Sequence, residues 1–470
     1  MQHSLGATTI PYATSLDRSP ERLRRAALAY DLRVQTPGRE PLASYHTGVV
    51  TDFLRRHRFE AEVAAHADKQ TRANFVGELF SRVADTRNLY AAFAHVRARG
   101  GDAPGVDGLR PSAVDAEGGW EMVRVIRATL FDGTYRPARL RRKRILKTSG
   151  TGTRTLSIPT LVDRVVQRAL VQVVEPYLDP HFADDSFGFR RRRGRLQALA
   201  RAHWYTAQQD RPVWVTEDLK DAFNHVPQKR LLDVVRLHLP DDRLMKLIEL
   251  LVATPTGRGV SQGGPASGLW LNIYLDHFLD REWRKRELDV PLVRVADDLL
   301  LLCRDTNEAR RVYGVLAEIL RPTGMVLKGT PQSTIRDLAA GQVVEWLGYR
   351  INYIDGRLKY DVADRAWRSL ANKLTLAHEQ PIAPLAALAT LDGWVSQIGP
   401  TYAPAKVPAT YDRVRRLARS LGYEEIPSTR DLHAAWRRAH GAWEDALGAE
   451  YCGRSAATTG TPTQEDTPVK

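Results

Sequence analysis

Two adjacent carboxylates, Asp297 and Asp298, stand between the apolar runs Leu292-Val293-Arg294-Val295 and Leu299-Leu300-Leu301-Leu302. Aliphatic and β-branched runs on both sides of a polar pair read as strand, turn, strand. Two like charges at the tip of such a hairpin are costly unless a cation sits against them. Oxygen ligands of this kind suit a divalent metal. A third carboxylate, Asp218, ends the segment Val213-Trp214-Val215-Thr216-Glu217, and the carbonyl of Leu219 beside it is a further candidate ligand. Metal chemistry on phosphates uses two ions roughly 3.5–4 Å apart. Adjacent residues cannot bracket both, so a carboxylate from another strand is required. Alone, Asp218 reads as a helix cap or turn acid, and an Asp pair is a weak signal. Together and in this order, with the Gly-rich segment Gly257 to Gly268 between them, they predict one central sheet carrying all three.

The bulk composition restricts what such a site would act on. The chain has 470 residues, enough for two to four subdomains, and a formal charge of +14 with a pI of about 9.8. That balance points to polyanions, nucleic acid ahead of membrane. The two cysteines, Cys303 and Cys452, are too few for a thiolate zinc site, and a structural disulfide is not expected, which fits a cytoplasmic location. The N-terminus lacks a basic region followed by an apolar one, and no run of about 18 apolar residues predicts a membrane span. The 13 histidines are scattered without ligand spacing.

Several elements must position the carboxylates. Amphipathic helices are expected over Arg22 to Asp31, Thr51 to Ala67 and Asn88 to Arg99, followed by a breaker cluster from Gly100 to Gly108. Arg139 to Lys147 and Arg154 to Pro159 read as a basic β-hairpin. Such a run is most often a solvated edge, but its Gly-containing turn lets Lys147 and Arg154 point together toward phosphates. A helix is expected over Leu161 to Leu178. Ser186-Phe187-Gly188-Phe189-Arg190, with Arg191 to Arg193, combines rings and cations in a way that suits a nucleic-acid strand. An apolar helix is expected over Leu269 to Trp283, and an amphipathic one over Asn307 to Leu320. From about 361 the pattern is helical throughout, and the Ser/Thr/Gly/Pro-rich tail from Gly453 is expected to be disordered.

Taken in order, these blocks resemble the reverse transcriptase family, specifically its bacterial group II intron-like branch. Gly105-Val106-Asp107-Gly108 resembles the branch's N-terminal motif. Arg154 to Thr160 with Asp163 to Gln167 resembles a fingers block, which Ser186 to Arg190 continues. Asp218 to Phe223 resembles the first palm aspartate motif. Ser261-Gln262-Gly263-Gly264-Pro265 resembles the block before the palm helix, Val295-Ala296-Asp297-Asp298 the Tyr-Ala-Asp-Asp box, and Trp346-Leu347-Gly348-Tyr349 the primer grip. The likeness covers about residues 85 to 360, with a weaker thumb-like match to about 450.

The resemblance implies an α+β right-hand polymerase with fingers, a ferredoxin-like antiparallel-sheet palm and a helical thumb. Its segments would be an N-terminal helical extension (1–80), fingers (81–210), palm (211–360), thumb-like domain (361–452) and tail (453–470). It implies an RNA-directed DNA polymerase that uses two Mg²⁺ ions, with Mn²⁺ as a substitute, to extend a DNA or RNA primer with dNTPs on an RNA template. A cognate structured RNA is a further implied partner, and a membrane is not. Asp218, Leu219, Asp297 and Asp298 would hold the metals, with Asp298 the least direct ligand. Lys147 and Arg154 would contact the nucleotide's triphosphate, and Gln262 the nucleotide. Phe223 would exclude a 2′-OH. Arg190, Arg193, Gly263, Trp346 and Gly348 would hold template and primer.

The chain departs from the family pattern at three places. Val295 replaces the usual Tyr of the box, and Gly268 a usual proline. The lysine expected near Gln332 is missing, with Lys328 the candidate to replace it. Two of these departures favour an alternative class, a non-catalytic maturase-like RNA-binding protein, whereas the intact Asp triad favours an enzyme. No Cys/His endonuclease cluster follows the thumb, so an endonuclease-less intron protein and a host-adopted antiphage defence enzyme are both open. Because Val295 stands where a side chain packs beside the primer end, Val295→Tyr is expected to raise or leave unchanged primer extension. A clear loss in that assay would show that the box is misaligned with the primer end.

Overall fold

The computed structural model describes residues 43–146, 153–380, 382–401 and 406–458. The chain divides into two compact units. One comprises Met1–Glu60, Glu78–Arg141 and Ile158–Val173, and the other Ala61–Gly77, Arg142–Ser157 and Val174–Lys470. The expected helix over Arg22 to Asp31 and residue Lys147 lie outside the described residues.

The first unit is helical. Thr86–Arg99 starts at Asp85, whose carboxylate accepts from Arg87 N, and Ala116–Phe131 starts at Asp115, which accepts from Gly118 N. Each cap satisfies a backbone donor that the first turn leaves open. Leu89, Phe93, Val123, Ile126, Val165 and Val166 form buried apolar surface. Two residues of the fingers-like block tie segments of this unit together, and Arg164 fastens the breaker cluster. Asp163 accepts from the Tyr135 and Thr160 hydroxyls (2.7 and 2.6 Å) and from Ala138 N (3.0 Å). Arg164 donates to the carbonyls of Gly101, Ala103 and Pro159.

The second unit holds the sheet that the Asp spacing predicts. Strands β1 (Arg141–Leu146) and β2 (Thr153–Ile158) pair as a two-stranded sheet. Strands β3 (Val213–Asp218), β4 (Leu292–Val295), β5 (Asp298–Cys303) and β6 (Ile335–Asp337) form an antiparallel sheet of order β4-β5-β3-β6. Helices separate β3 from β4 and β5 from β6, giving the βαββαβ topology and strand order of a ferredoxin-like palm. Leu299 to Cys303 are all buried, which is why this strand reads as a continuous apolar run rather than an alternating one. The helix Thr306–Leu320, capped by Asp305, buries Val312, Tyr313 and Leu316. A three-stranded sheet, β7 (Val344–Trp346), β8 (Tyr349–Ile354) and β9 (Arg357–Val362), shares the core of Trp214, Leu300 and Leu302 through Trp346, Tyr349 and Ile351. A second core, around Trp367, Leu391, Trp394, Tyr411 and Trp436, belongs to the helices that follow β9. The last helix runs Thr429–Thr458, past Gly453, where the composition predicts a tail.

The β4–β5 hairpin is built against the Ser186–Gly188 segment. Phe187 N donates to Arg294 O and Arg294 N to Asp185 O, both at 2.8 Å. The Arg294 side chain is fully buried. It donates to both Asp280 carboxylate oxygens, to Asn272 Oδ1 (3.0 Å) and to the turn carbonyl of Ala296 (3.1 Å). Gly188 lies so close to the turn that a Cβ would come within 2.2 Å of Ala296 N. Gly188→Ala is therefore expected to cost about 1–3 kcal/mol, seen as a lower denaturant midpoint at unchanged slope. Gly314→Ala, in the interior of a helix with nothing within 4 Å of the new Cβ, should leave the midpoint unchanged or raise it.

Candidate active site

The antiparallel register places Asp218 opposite Asp298. Leu219, the next residue, donates its N–H to the Asp297 carbonyl at 3.1 Å. The tight turn that presents Asp297 requires φ +60° at Ala296. Three carboxylates separated by about 80 residues of sequence thus meet at one end of the sheet. Burial and crowding raise the proton affinities of Asp297 and Asp298. Burial, then Asp218, holds Asp297 above the usual carboxylate range. Burial, then Asp297 and Asp218, pushes Asp298 up to about 7. A divalent cation would relieve both costs, so the donor set fits one.

The carboxylates are not preassembled as a cage. Among the described residues, no three His, Cys, Asp or Glu side chains are arranged to enclose an ion. Instead, Lys328 Nζ donates to Asp218 Oδ2 at 2.9 Å. This is the lysine that the sequence offers in place of the missing one. A residue that sequence reasoning passed over, Glu217, holds it there. The Glu217 carboxylate is buried and accepts from Lys328 N (3.2 Å), Gly329 N (2.9 Å) and the Tyr313 hydroxyl (3.0 Å). Lys328 N also donates to the Asp218 carbonyl at 3.0 Å. Alternation along β3 puts Glu217 and Asp218 on opposite faces. The sequence carries no signal for this role beyond an acid adjacent to Asp218.

The hairpin β1–β2 supplies cations. Arg142, Arg144, Thr153, Thr155 and Ser157 line a cavity of about 570 Å³ with Asp221, Asn224 and Gln262. Ser157 N donates to the Gln262 carbonyl at 2.8 Å. Gly263 has φ +117°, and a Cβ there would meet Ser157 O at 2.9 Å, so glycine permits this approach. Sequence reasoning named Lys147 and Arg154, but only the backbone of Arg154 is described. Arg142 and Arg144 were missed, although residues two apart on a strand share a face.

Phe223 is buried, and its ring meets that of Phe189 edge-on at 5.9 Å. The Phe189 ring fills the space that a side chain at 268 would take, 2.3 Å from an added Cβ, which accounts for Gly268 where a proline is usual.

Arg190 departs from the expected template contact. Its side chain is buried and its donors are spent on the Asp179 carboxylate and on the carbonyls of Asp179, Ala183 and Ser186. None is left for a phosphate. Arg193 is partly engaged, donating to the carbonyl and carboxylate of Asp184. Trp346 packs edge-on against Trp214 in the core, so its ring is not offered to a primer. Leu347 and Gly348, both at positive φ, form the turn that follows it.

Comparison with known proteins assigns this arrangement. Residues 145–351 match the family model described as reverse transcriptase (RNA-dependent DNA polymerase). That stretch is similar to group II intron-like reverse transcriptases. Protein YkfC of Escherichia coli is 34% identical over 200 residues, covering 40% of this chain and 52% of that protein. The group II intron-encoded protein LtrA of Lactococcus lactis is 32% identical over 177 residues, covering 34% of this chain and 28% of that protein. The match therefore spans about half of the first relative and under a third of the second. A solved partial Cas6-RT-Cas1–Cas2 complex aligns at a TM-score of 0.33 with 23% identity, covering 52% of this chain and 41% of that one. No helix among the described residues is long and apolar enough to cross a membrane.

The raised Asp298 carboxyl has a measurable consequence. Its ionisation in the fold is opposed, so a stability cost sets in as pH rises above the ordinary carboxylate range and is complete above about 7. In divalent-free buffer at pH 8, Asp298→Asn is expected to raise the melting temperature by several degrees. The gain should shrink as pH falls toward 4. An equal or lower melting temperature at pH 8 would contradict the assigned repulsion.

Proposed function

We propose that the protein is an RNA-directed DNA polymerase that extends a primer with dNTPs on an RNA template at Asp218, Asp297 and Asp298. The observation that carries this reading is the β3–β5 register. It brings the three acids together within the stretch that matches a family model described as reverse transcriptase (RNA-dependent DNA polymerase). Two Mg²⁺ ions, or Mn²⁺ in their place, bound by these carboxylates would activate the primer 3′-OH and neutralise the departing pyrophosphate.

The chain's own residues do the positioning. Arg142 and Arg144 line the cavity where a triphosphate would lie and offer charge-assisted hydrogen bonds, and Lys147 and Arg154 are proposed from the sequence as further triphosphate contacts. The Gln262-Gly263 backbone sets the cavity floor against β2. Phe223, backed by Phe189, stands five residues beyond Asp218 as the ring that refuses a 2′-OH. Lys328 holds Asp218 Oδ2, the oxygen that a divalent ion would share or take over. Arg193 and the Gly348 turn are the proposed strand contacts.

A second reading is favoured by the Lys328–Asp218 ion pair and by relatives such as nuclear intron maturase 4 of Arabidopsis thaliana, 30% identical over 133 residues. In it the chain is a maturase-like RNA-binding protein that keeps the polymerase fold. Its setting, a group II intron or a host-adopted defence system, follows from whichever RNA it binds.

The two readings separate on one pair of substitutions. With purified full-length chain, Mg²⁺, an RNA template and a DNA primer, the wild type is expected to incorporate dNTPs, and Asp297→Ala/Asp298→Ala to lose at least a hundredfold in rate. An intact biological activity in the double variant, or no incorporation by the wild type across a template panel, sinks the polymerase reading.

A further inference from the structure

A second cleft of about 680 Å³ lies wholly within the second unit and shares no residue with the carboxylate site. Its cations are Lys69 and Arg72 from the helix Lys69–Val83, and Arg281 and Arg284 from the helix Arg281–Lys285. One carboxylate, Asp276, answers them. It is itself buried and already accepts from Arg281 Nε (2.7 Å) and Ala183 N (3.2 Å), with Arg284 at 3.9 Å. Lys69 and Arg72 form no ion pair among the described residues. The cleft therefore keeps a surplus of positive charge, which suits an anion.

Its walls are not those of a bare ion site. The rings of His181 and His238 lie 5.8 Å apart, and Tyr177 meets His181 edge-on at 5.7 Å. Val76 and Pro240 add apolar surface. Burial and then Arg281 hold both imidazoles below their ordinary range, His238 down to about 4. Near neutral pH they face the cleft as flat, uncharged rings with hydrogen-bonding nitrogens. The other large charges acting on them are the basic groups Arg72, His66 and His277, together with Asp276. The palm helix also changes here. After Ser267–Leu275 it widens into a π-turn at Asp276–Asp280 before Arg281. Such a turn inserts a residue into the helical repeat and often marks a functional site. It re-aims Arg281 and Arg284 relative to an uninterrupted helix.

We propose that this cleft is a second phosphate site that takes a phosphorylated nucleoside, with the phosphate on Arg72, Arg281 and Lys69 and the base against the His181 and His238 rings. The volume admits one nucleotide. The shared chemistry, a phosphoryl group beside a flat base, can come from a free nucleotide or from one unit of a single strand. The site is independent of whether the carboxylates catalyse polymerisation.

The test uses the full-length chain and two probes, adenosine 5′-monophosphate by calorimetry and a fluorescent single-stranded RNA 12-mer by anisotropy. The comparison is between wild type and Lys69→Glu/Arg72→Glu, with Lys69→Gln/Arg72→Gln as a milder pair if charge reversal unfolds the helix. Loss of the mononucleotide by tenfold or more in the variants identifies a free nucleotide. Retained mononucleotide affinity with a tenfold loss for the RNA, and a salt slope reduced by about 1.4, identifies a strand. Primer extension at saturating template is expected to stay at the wild-type rate, since no residue of the cleft belongs to the carboxylate site. Variants that bind both probes as tightly as the wild type, with the same salt slope, overturn the proposal. A wild type that binds but never extends a primer removes the polymerase reading and leaves this one standing.

Discussion

Crowding three carboxylates at the end of a buried sheet is the constraint on which the rest of the palm depends. Asp297 is held away from its ionised state by burial and then Asp218, and Asp298 by burial, then Asp297 and Asp218, so the polypeptide must keep them together against an electrostatic cost. The anchor is Arg294, a buried cation one pleat below the turn. Its guanidinium pairs with Asp280, reaches Asn272 and holds the Ala296 carbonyl. Asn272 in turn donates to the Gly188 carbonyl at 2.6 Å. One buried charge pair thereby ties the hairpin to the palm helix and to the Ser186–Gly188 segment. Removing one partner would leave an uncompensated buried charge, which is far costlier than the pair itself.

The opposite edge of the site is governed by a second carboxylate with a different task. Glu217 spends its oxygens on the backbone of Lys328 and Gly329 and on Tyr313, so the loop after the helix Thr306–Leu320 is fastened beside β3. That loop delivers Lys328 to Asp218. The departure from the family's lysine spacing is thus accompanied by a local device that brings another lysine to the site. Gly268 has a similar account, because the Phe189 ring takes the space that a larger residue would need. Val295 pairs with Asp298 and is partly buried against the core, where an aliphatic side chain packs without further adjustment.

Basic residues in this chain divide into two populations that composition cannot separate. Arg190 and Arg294 are internal struts whose donors are consumed by carbonyls and carboxylates. Arg142, Arg144, Lys69 and Arg72 line cavities. A guanidinium serves both uses because its planar fork satisfies several backbone carbonyls at once or grips a phosphate with the same donors. The net charge of +14 points to a polyanionic partner, yet some of the arginines that attract notice in the sequence are bound up in the fold.

The amino-acid sequence by itself placed Asp218 on one strand and Asp297 and Asp298 on a neighbouring hairpin of the same sheet, and carried the resemblance to reverse transcriptases. Each of these rests on local pattern: apolar runs of strand length, a polar turn between them, and motifs in a fixed order. Tertiary structure alone decided which polar side chains face a site and which face the core. Arg190 reads from its neighbours as a strand-binding residue, and only the folded chain shows Asp179 and three carbonyls waiting for it. Glu217 reads as one more acid in an acidic run, and only packing against Tyr313 and the Lys328 loop gives it a task. Trp346 carries a motif but fills the core against Trp214. The physical reason is the same in each case. Strand and helix periods are written in neighbouring residues, whereas the partner that satisfies a buried donor or acceptor arrives from far along the chain and leaves no local trace.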